Sequence, residues 1–477
     1  MIGGTGDNFE FRSFAHQIAR SPDHLVLMTY DECLKYLADL DQELLGLKFG
    51  LHAITQILEE LGRPHERYDT AIVAGTNGKG STCAILASIL QHAGYRTGLF
   101  TSPHLVRVNE RMRVDGQEIS DADFATAFTE VAAAVEILIL QKKLESRPSF
   151  FEYLTATAFQ HFAHAGARFV VLEVGMGGRL DATNVTTPRV ALITNIDFDH
   201  MEFLGSTLAA IAAEKAGVIS PHRPVISAVE DAEASVAIRH RAEECGAELQ
   251  ELSKVAQISN LIAKHGRYSF DLKLGNERFA RLVCPLLGKF QVRNTVAAVA
   301  GAWRLKGEGF NISRRSILRG LRSASWPGRL EPIFPKPLVL LDGGHNPGAA
   351  RELAAFIQQE LPGRRVRVVY ASMRDKAIKE ICASLFPLAQ EIYLTHPDHP
   401  RAASPDQILA AIESRPSILQ IELDPVRALE RACDSSQPDD VVLVVGSLFL
   451  VGAIKKAQRE GTLHLRKLPI ISFQSSE

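Results

Sequence analysis

Cysteine is scarce in this sequence and never clustered. Cys33, Cys83, Cys245, Cys284, Cys382 and Cys433 stand singly along 477 residues. With no C-x-x-C pair, neither a zinc ribbon nor a thioredoxin-type redox centre is indicated. A disulfide framework does not suit a chain this long. The implied setting is reducing and cytoplasmic. Charge of one sign is equally lacking: 53 Lys and Arg face 55 Asp and Glu, a formal net charge of -2. That argues against nucleic acid or an anionic membrane as the main partner. No apolar core follows basic residues at the N-terminus, so no secretory signal is read there. The longest apolar stretch, 441–454, is interrupted by Gly446, Ser447 and Gly452. It falls short of the ~20 residues that a membrane span needs. Internal repeats and low-complexity segments are absent too.

What remains is an ordinary globular composition, 46% hydrophobic and 23% charged, which argues against disorder. At ~150 residues per domain the length suggests two or three domains. Residues 1–27 are weakly patterned and read as a disordered extension, dispensable for activity. A helical pattern then begins with Leu34, Leu37 and Leu40. From residue 70 short apolar runs alternate with amphipathic helices. Strands are expected at 71–74, 169–172, 190–194 and 224–228, with helices at 81–93 and 207–216. This alternation implies a mostly parallel sheet covered by helices on both faces. Two alternating runs around Gly275-Asn276 read as a small antiparallel hairpin, and a helix follows at 291–305. Pro327, Pro332, Pro335 and Pro337 mark 323–337 as a linker. Beyond it, strands at 338–341, 365–370, 391–395 and 441–445 form a second α/β unit. The expected division is therefore a central domain at 28–322, a linker at 323–337 and a Rossmann-like domain at 338–477.

The strongest chemical signal is Gly75-Thr76-Asn77-Gly78-Lys79-Gly80-Ser81-Thr82, between an expected strand and an expected helix. That context suits a phosphate-binding loop: glycines let amides turn inward, and a helix N-terminus attracts anions. Lys79 can neutralise phosphate oxygens and Ser81 can ligate their Mg²⁺. The spacing departs from the standard G-x-x-x-x-G-K-[ST] loop, and a plain glycine-rich turn is the bland alternative.

Glu173 ends one expected strand, and Asp197-Phe198-Asp199-His200 follows the next. Ligands in open parallel sheets sit at these carboxyl ends, so both segments can converge on the loop and suggest a second divalent cation. A strand-end salt bridge for Glu173 and a loop histidine for His200 are the alternatives. Lys215 reads by pattern as a helix-end cation. In the second unit Asp342-Gly343-Gly344-His345-Asn346-Pro347 follows a strand, either near a ligand or as a tight turn. No G-x-G-x-x-G, G-x-S-x-G or H-E-x-x-H occurs.

These segments, in this order, resemble the Mur ligase superfamily, and most of all its folate branch, the folylpolyglutamate and dihydrofolate synthases. The resemblance runs from about residue 29 to 452. It rests on Phe49-Gly50-Leu51, the Gly75–Thr82 loop, Thr101-Ser102-Pro103-His104-Leu105, Asn109-Glu110-Arg111 and Phe150-Phe151-Glu152. It continues with Glu173 to Asn184, Asp199-His200, Glu214 to Gly217, Gln291 with Asn294, Pro327 to Glu331, Asp342 to Pro347 and Gly446 to Gly452. Phe290 and Gly344 depart from the family pattern, where histidine and alanine are usual.

The resemblance implies an enzyme of the cytoplasm that phosphorylates a substrate carboxylate with ATP. The amine of L-glutamate then attacks the acyl phosphate. Folate or dihydropteroate would be the acceptor, with both activities in one enzyme; a monomer is expected because a cleft between domains needs no second chain. It places Asn77, Gly78, Lys79, Gly80 and Ser81 at the phosphates, and Asn294, Arg329 and Asp342 on ATP from the far side. Ser81 and Ser102 would face one Mg²⁺, with Glu173 shared and His200 on a second. Ser102, Pro103, His104, Leu105, Phe150, Phe151, Glu152, Leu180, Asp181 and Ala182 would meet the pterin substrate, and His345 the glutamate. Lys215 would be carbamylated, consistent with a buried lysine that offers a neutral amine to CO₂. A peptidoglycan-precursor ligase and a nucleotide switch using the same loop are the rival readings.

Overall fold

The structure, a computed structural model, describes residues 26–42, 50–412 and 418–465. The expected extension, 1–27, thus lies outside the described residues except for its last two. Phe49 lies outside them as well.

Three sheets organise the described residues. The first contains β1 (Asp69–Ala74), β2 (Thr97–Phe100), β3 (Met112–Val114), β4 (Gln117–Glu118), β5 (Phe169–Glu173), β6 (Val190–Ile193), β7 (Val225–Ser227) and β8 (Leu249–Glu251). Their spatial order is β4-β3-β2-β5-β1-β6-β7-β8. All neighbours are parallel except β2 with β3 and β3 with β4. Side chains alternate across a strand, so β1 feeds two cores. Ile72 and Ala74 pack with helices Asp121–Leu140 and Phe150–His164. Ala71 and Val73 pack with helices Lys79–His92 and Phe290–Gly307. Burial on both faces explains why these strands read as continuous apolar runs.

The expected hairpin is a three-stranded antiparallel sheet. β10 (Arg267–Leu274) lies between β9 (Ala256–Lys264) and β11 (Glu277–Val283). β9 is exposed along nearly its whole length and so carries no half-buried alternation to betray it.

The second α/β unit holds β12 (Glu331–Pro335), β13 (Leu338–Leu341), β14 (Val366–Tyr370), β15 (Glu391–Leu394), β16 (Leu419–Ile421) and β17 (Val441–Val445). The order is β12-β13-β17-β14-β15-β16. Only β12 runs antiparallel to its neighbour. β12 lies within the expected linker, so part of 323–337 is an edge strand. Pro332 and Pro335 are tolerated there because an edge strand needs no amide donor on its free side. At the far end of this sheet the buried Arg367 joins Glu391 at 2.8 Å and Asp440 at 2.6 Å.

Candidate active site

The carboxyl ends of β1, β5 and β6 face those of β13 and β17 across a cleft. A cavity of about 490 Å³ fills it. Asn77, Gly78, Lys79, Gly80, Ser81, Ser102, Pro103, Glu173, His200, Lys215, Asn294, Arg329, Asp342 and His345 all line this one space. The fold thus brings together residues up to 268 positions apart, from Asn77 to His345.

The glycine loop is built from β1 outward. Gly78 caps helix Lys79–His92 with φ 83°, a left-handed angle that favours glycine. A Cβ at Gly78 would lie 2.3 Å from Asn294 Oδ1, so the same residue lets Asn294 approach. The loop is held from β6: Thr194 Oγ1 donates to Asn77 O at 2.7 Å, and Asn77 N donates to Asn195 Oδ1 at 2.6 Å. Lys79 Nζ folds back on Gly75 O and Thr76 O at 3.0 and 3.1 Å. Gln291 Nε2 donates to Ser81 Oγ at 3.3 Å and its Oε1 accepts from Asn294 Nδ2 at 2.8 Å.

Around the loop sit groups whose pKa values their surroundings shift. Glu173 accepts from Ser102 N at 3.1 Å. Burial raises its pKa, opposed by Lys79, the Ser102 amide and Arg329. Lys215 is 5% exposed and donates through Nζ to Gly75 O at 3.0 Å. Burial, with Lys79 nearby, brings its pKa down to about 7. His200, left-handed at φ 51°, is lowered by burial and partly restored by Asp199. Asp199 is itself driven far down: burial raises it, and His200, Lys376 and His345 outweigh that. Asp342 accepts from Leu330 N at 2.8 Å and Gly344 N at 2.7 Å, while burial raises its pKa. His345 is turned onto Gly343 O at 2.8 Å and burial lowers it to about 4.

A hard divalent cation suits Ser81, Ser102 and Glu173, because it takes oxygen ligands and would relieve a buried carboxylate. Among the described residues no group of three or more His, Cys, Asp or Glu side chains could hold a metal. A cation in this cleft would therefore draw further ligands from phosphate oxygens and water.

Of the residues expected at the pterin, Ser102 and Pro103 share this lining and the others lie outside it. Leu105 opens onto a small neighbouring cavity shared with Ser102, Glu173 and Arg329. His104 Nδ1 accepts from Arg111 Nε at 2.9 Å, and burial with that guanidinium lowers its pKa to about 4. Arg111 lies over the Phe150 ring, 5.3 Å from its centre. Phe151 packs against Phe100, with ring centres 6.0 Å apart. Glu152 is engaged within its own helix, accepting from Ser149 N and Oγ at 2.8 Å. Asp181 accepts from Met176 N and Thr183 N, next to Leu180 and the buried Ala182. Thr194, Arg293 and Trp326, which no motif singled out, also shape the loop or cavities.

A glycine loop on a parallel sheet, facing a second α/β unit across a cleft with buried acid and amine, defines a two-lobed nucleotide-binding α/β protein. The Mur ligase middle domain family matches residues 73–302, and the Mur ligase glutamate ligase domain matches 328–448. The dihydrofolate synthase/folylpolyglutamate synthase of Bacillus subtilis is 36% identical over 414 residues, 86% of this chain and 95% of that protein. E. coli FolC in complex with DHPP and ADP superposes with a TM-score of 0.80 at 31% identity, covering 90% of this chain and 98% of the other. The bifunctional synthase of Yersinia pestis, complexed with AMPPNP and Mn ion, gives 0.79 at 32% identity, covering 91% and 98%. The chain belongs to the Mur ligase superfamily, within its folylpolyglutamate and dihydrofolate synthase branch.

Proposed function

We infer that this protein is an ATP-dependent ligase that joins L-glutamate to the carboxylate of dihydropteroate or a folate. The observation that carries this reading is the shared cavity. It gathers a phosphate loop, a buried acid and amine, and Arg329, Asp342 and His345 from the second unit.

In this reading Asn77 to Ser81 cradle the phosphates, with Lys79 moving from its loop carbonyls onto them. Asn294, Arg329 and Asp342 hold the nucleotide from the other side. A carboxylate oxygen of the acceptor attacks the γ-phosphorus and ADP leaves. The glutamate amine then attacks the acyl carbon, loses a proton and expels phosphate. Lys79 and Arg329 offset charge on the transferring group. Closure of two lobes keeps water from the acyl phosphate. No enzyme nucleophile is needed. Mg²⁺, when bound, neutralises phosphate charge. Ser81, Ser102 and Glu173 would hold one ion and His200 a second. The lowered pKa of Lys215 supports its carbamylation, which would add an anion beside the metals. His104, Leu105, Phe150, Phe151, Glu152 and the Leu180–Ala182 turn are read as the pterin side, and His345 as the glutamate side. Since one chain completes the cavity, a monomer is the working unit. The division at 28–322 and 338–477 is read as the two lobes. The enzyme is read as cytoplasmic; among the described residues no helix is long and apolar enough to cross a membrane.

An oxygen-label experiment tests the reaction. Dihydropteroate labelled with ¹⁸O in its carboxylate, incubated with ATP, Mg²⁺ and L-glutamate, should give dihydrofolate, ADP and phosphate carrying one label. Unlabelled phosphate would remove the acyl phosphate. Absence of any pterin product would favour the peptidoglycan or switch reading.

A further inference from the structure

The two units meet where helix Pro347–Glu360 begins. Its N-cap, Asn346, is 3% exposed. Asn346 Oδ1 accepts from Ala349 N at 2.9 Å, as a helix cap, and from Asn77 Nδ2 at 3.2 Å. Its Nδ2 donates to Asn77 Oδ1 at 2.9 Å and to Asp199 Oδ2 at 3.3 Å. One amide therefore caps a helix of the second unit while exchanging two hydrogen bonds with the phosphate loop of the first. Two ion pairs flank it, Arg351 to Asp197 at 2.9 Å and Lys376 to Asp199 at 3.2 Å. Gly348 leaves the necessary room. A Cβ there would lie 2.0 Å from Asp197 Oδ2 and 3.3 Å from Asn77 Nδ2.

We propose that Asn346 is a positioning residue for ligation. With Gly348, it docks the second unit directly on the phosphate loop, so that Arg329 and Asp342 reach the nucleotide, and His345 the glutamate, only when Asn77 is correctly placed. The expected effect on turnover rests on the ligase reading above; the docking itself does not. An amide is the side chain that fits all the contacts. Aspartate or serine would cap the helix comparably. Aspartate, however, offers no donor to Asn77 Oδ1 and sets a second carboxylate against Asp199. Serine is too short to span to the loop.

Three variants separate docking from helix stability. Asn346→Asp and Asn346→Ser retain a capping oxygen, and Gly348→Ala raises helix propensity. All should leave the thermal midpoint near the wild-type value. All should enlarge the radius of gyration measured by small-angle scattering without nucleotide. All should lower kcat, by up to about a hundredfold, because the reacting groups are displaced. Adding Asn77→Ala to Asn346→Asp should cost far less than it does alone, since the paired amides act as a unit. Wild-type scattering with wild-type kcat in Asn346→Asp and Gly348→Ala would overturn the proposal. So would activity losses that merely follow a lowered thermal midpoint in all three. A wild-type protein without ligase turnover would remove the ligase reading, while scattering would still decide the docking.

Discussion

Lys215 should make the folded protein less stable than a neutral side chain would, and the size of the effect follows from its surroundings. Burial, reinforced by Lys79, takes its pKa from 10.5 to about 7. That displacement corresponds to about 5 kcal/mol between the charged and neutral forms. Between these two values the unfolded chain binds more protons than the folded one, so this group makes stability rise with pH. Below about pH 7 the full cost is present, and about 3 kcal/mol of it remains at pH 8. Lys215→Met keeps the length, removes the charge and loses the hydrogen bond to Gly75 O, worth about 1 kcal/mol. The variant should therefore be more stable than wild type by about 2 kcal/mol at pH 8 and about 3 kcal/mol at pH 7. The advantage should vanish near pH 10. Urea unfolding of both proteins in bicarbonate-free buffer at these three pH values measures it. Turnover in the variant should be lost. A variant less stable than wild type at pH 8, or a difference that does not change with pH, would refute the reasoning.

Three further perturbations probe separate parts of the account. Lys79→Ala should lower kcat by about a thousandfold with an unchanged circular dichroism spectrum; turnover near wild type would remove Lys79 from the phosphates. Gly78→Ala forces a Cβ to within 2.3 Å of Asn294 Oδ1 at φ 83°. It should weaken binding of a fluorescent ATP analogue by about tenfold or more, and unchanged affinity would contradict the loop geometry. Arg367→Ala removes the cation beside buried Glu391 and leaves Asp440 paired with Arg365. Its cost should be about 3–5 kcal/mol, visible in the unfolding of the second unit, with the wild-type KM for ATP kept in the folded fraction.

The legible parts of this protein were those whose physics is local. Strands buried on both faces, such as Phe169–Glu173 and Val441–Val445, announce themselves as apolar runs, and the glycine loop by its glycines. β9 was not legible because its side chains face solvent and leave no alternation. β12 was hidden by its prolines, which read as a linker although an edge strand accommodates them. Glu173, His200 and Asp342 were legible because each ends or follows a readable strand, whereas Ser102, Asn294 and Arg329 came only from the family resemblance. What sequence could not supply was pairing at a distance. Asn77 and Asn346 lie 269 residues apart, and neither segment alone says that one amide holds the other. Arg367 and its two carboxylates escaped notice for the same reason. Glu152 illustrates the converse: Ser149-Phe150-Phe151-Glu152 carries a local capping pattern, and in the fold its carboxylate is held by Ser149.

The central claim is amide formation driven by ATP, and its most direct test is ADP release in the presence of Mg²⁺, ATP and L-glutamate. Dihydropteroate, tetrahydrofolate and no acceptor would be compared, with products identified by mass. The account predicts ADP release that requires both glutamate and a pterin acceptor, with dihydrofolate formed from the first acceptor and glutamate-extended product from the second. ADP release indifferent to glutamate, or none with either pterin, would contradict it.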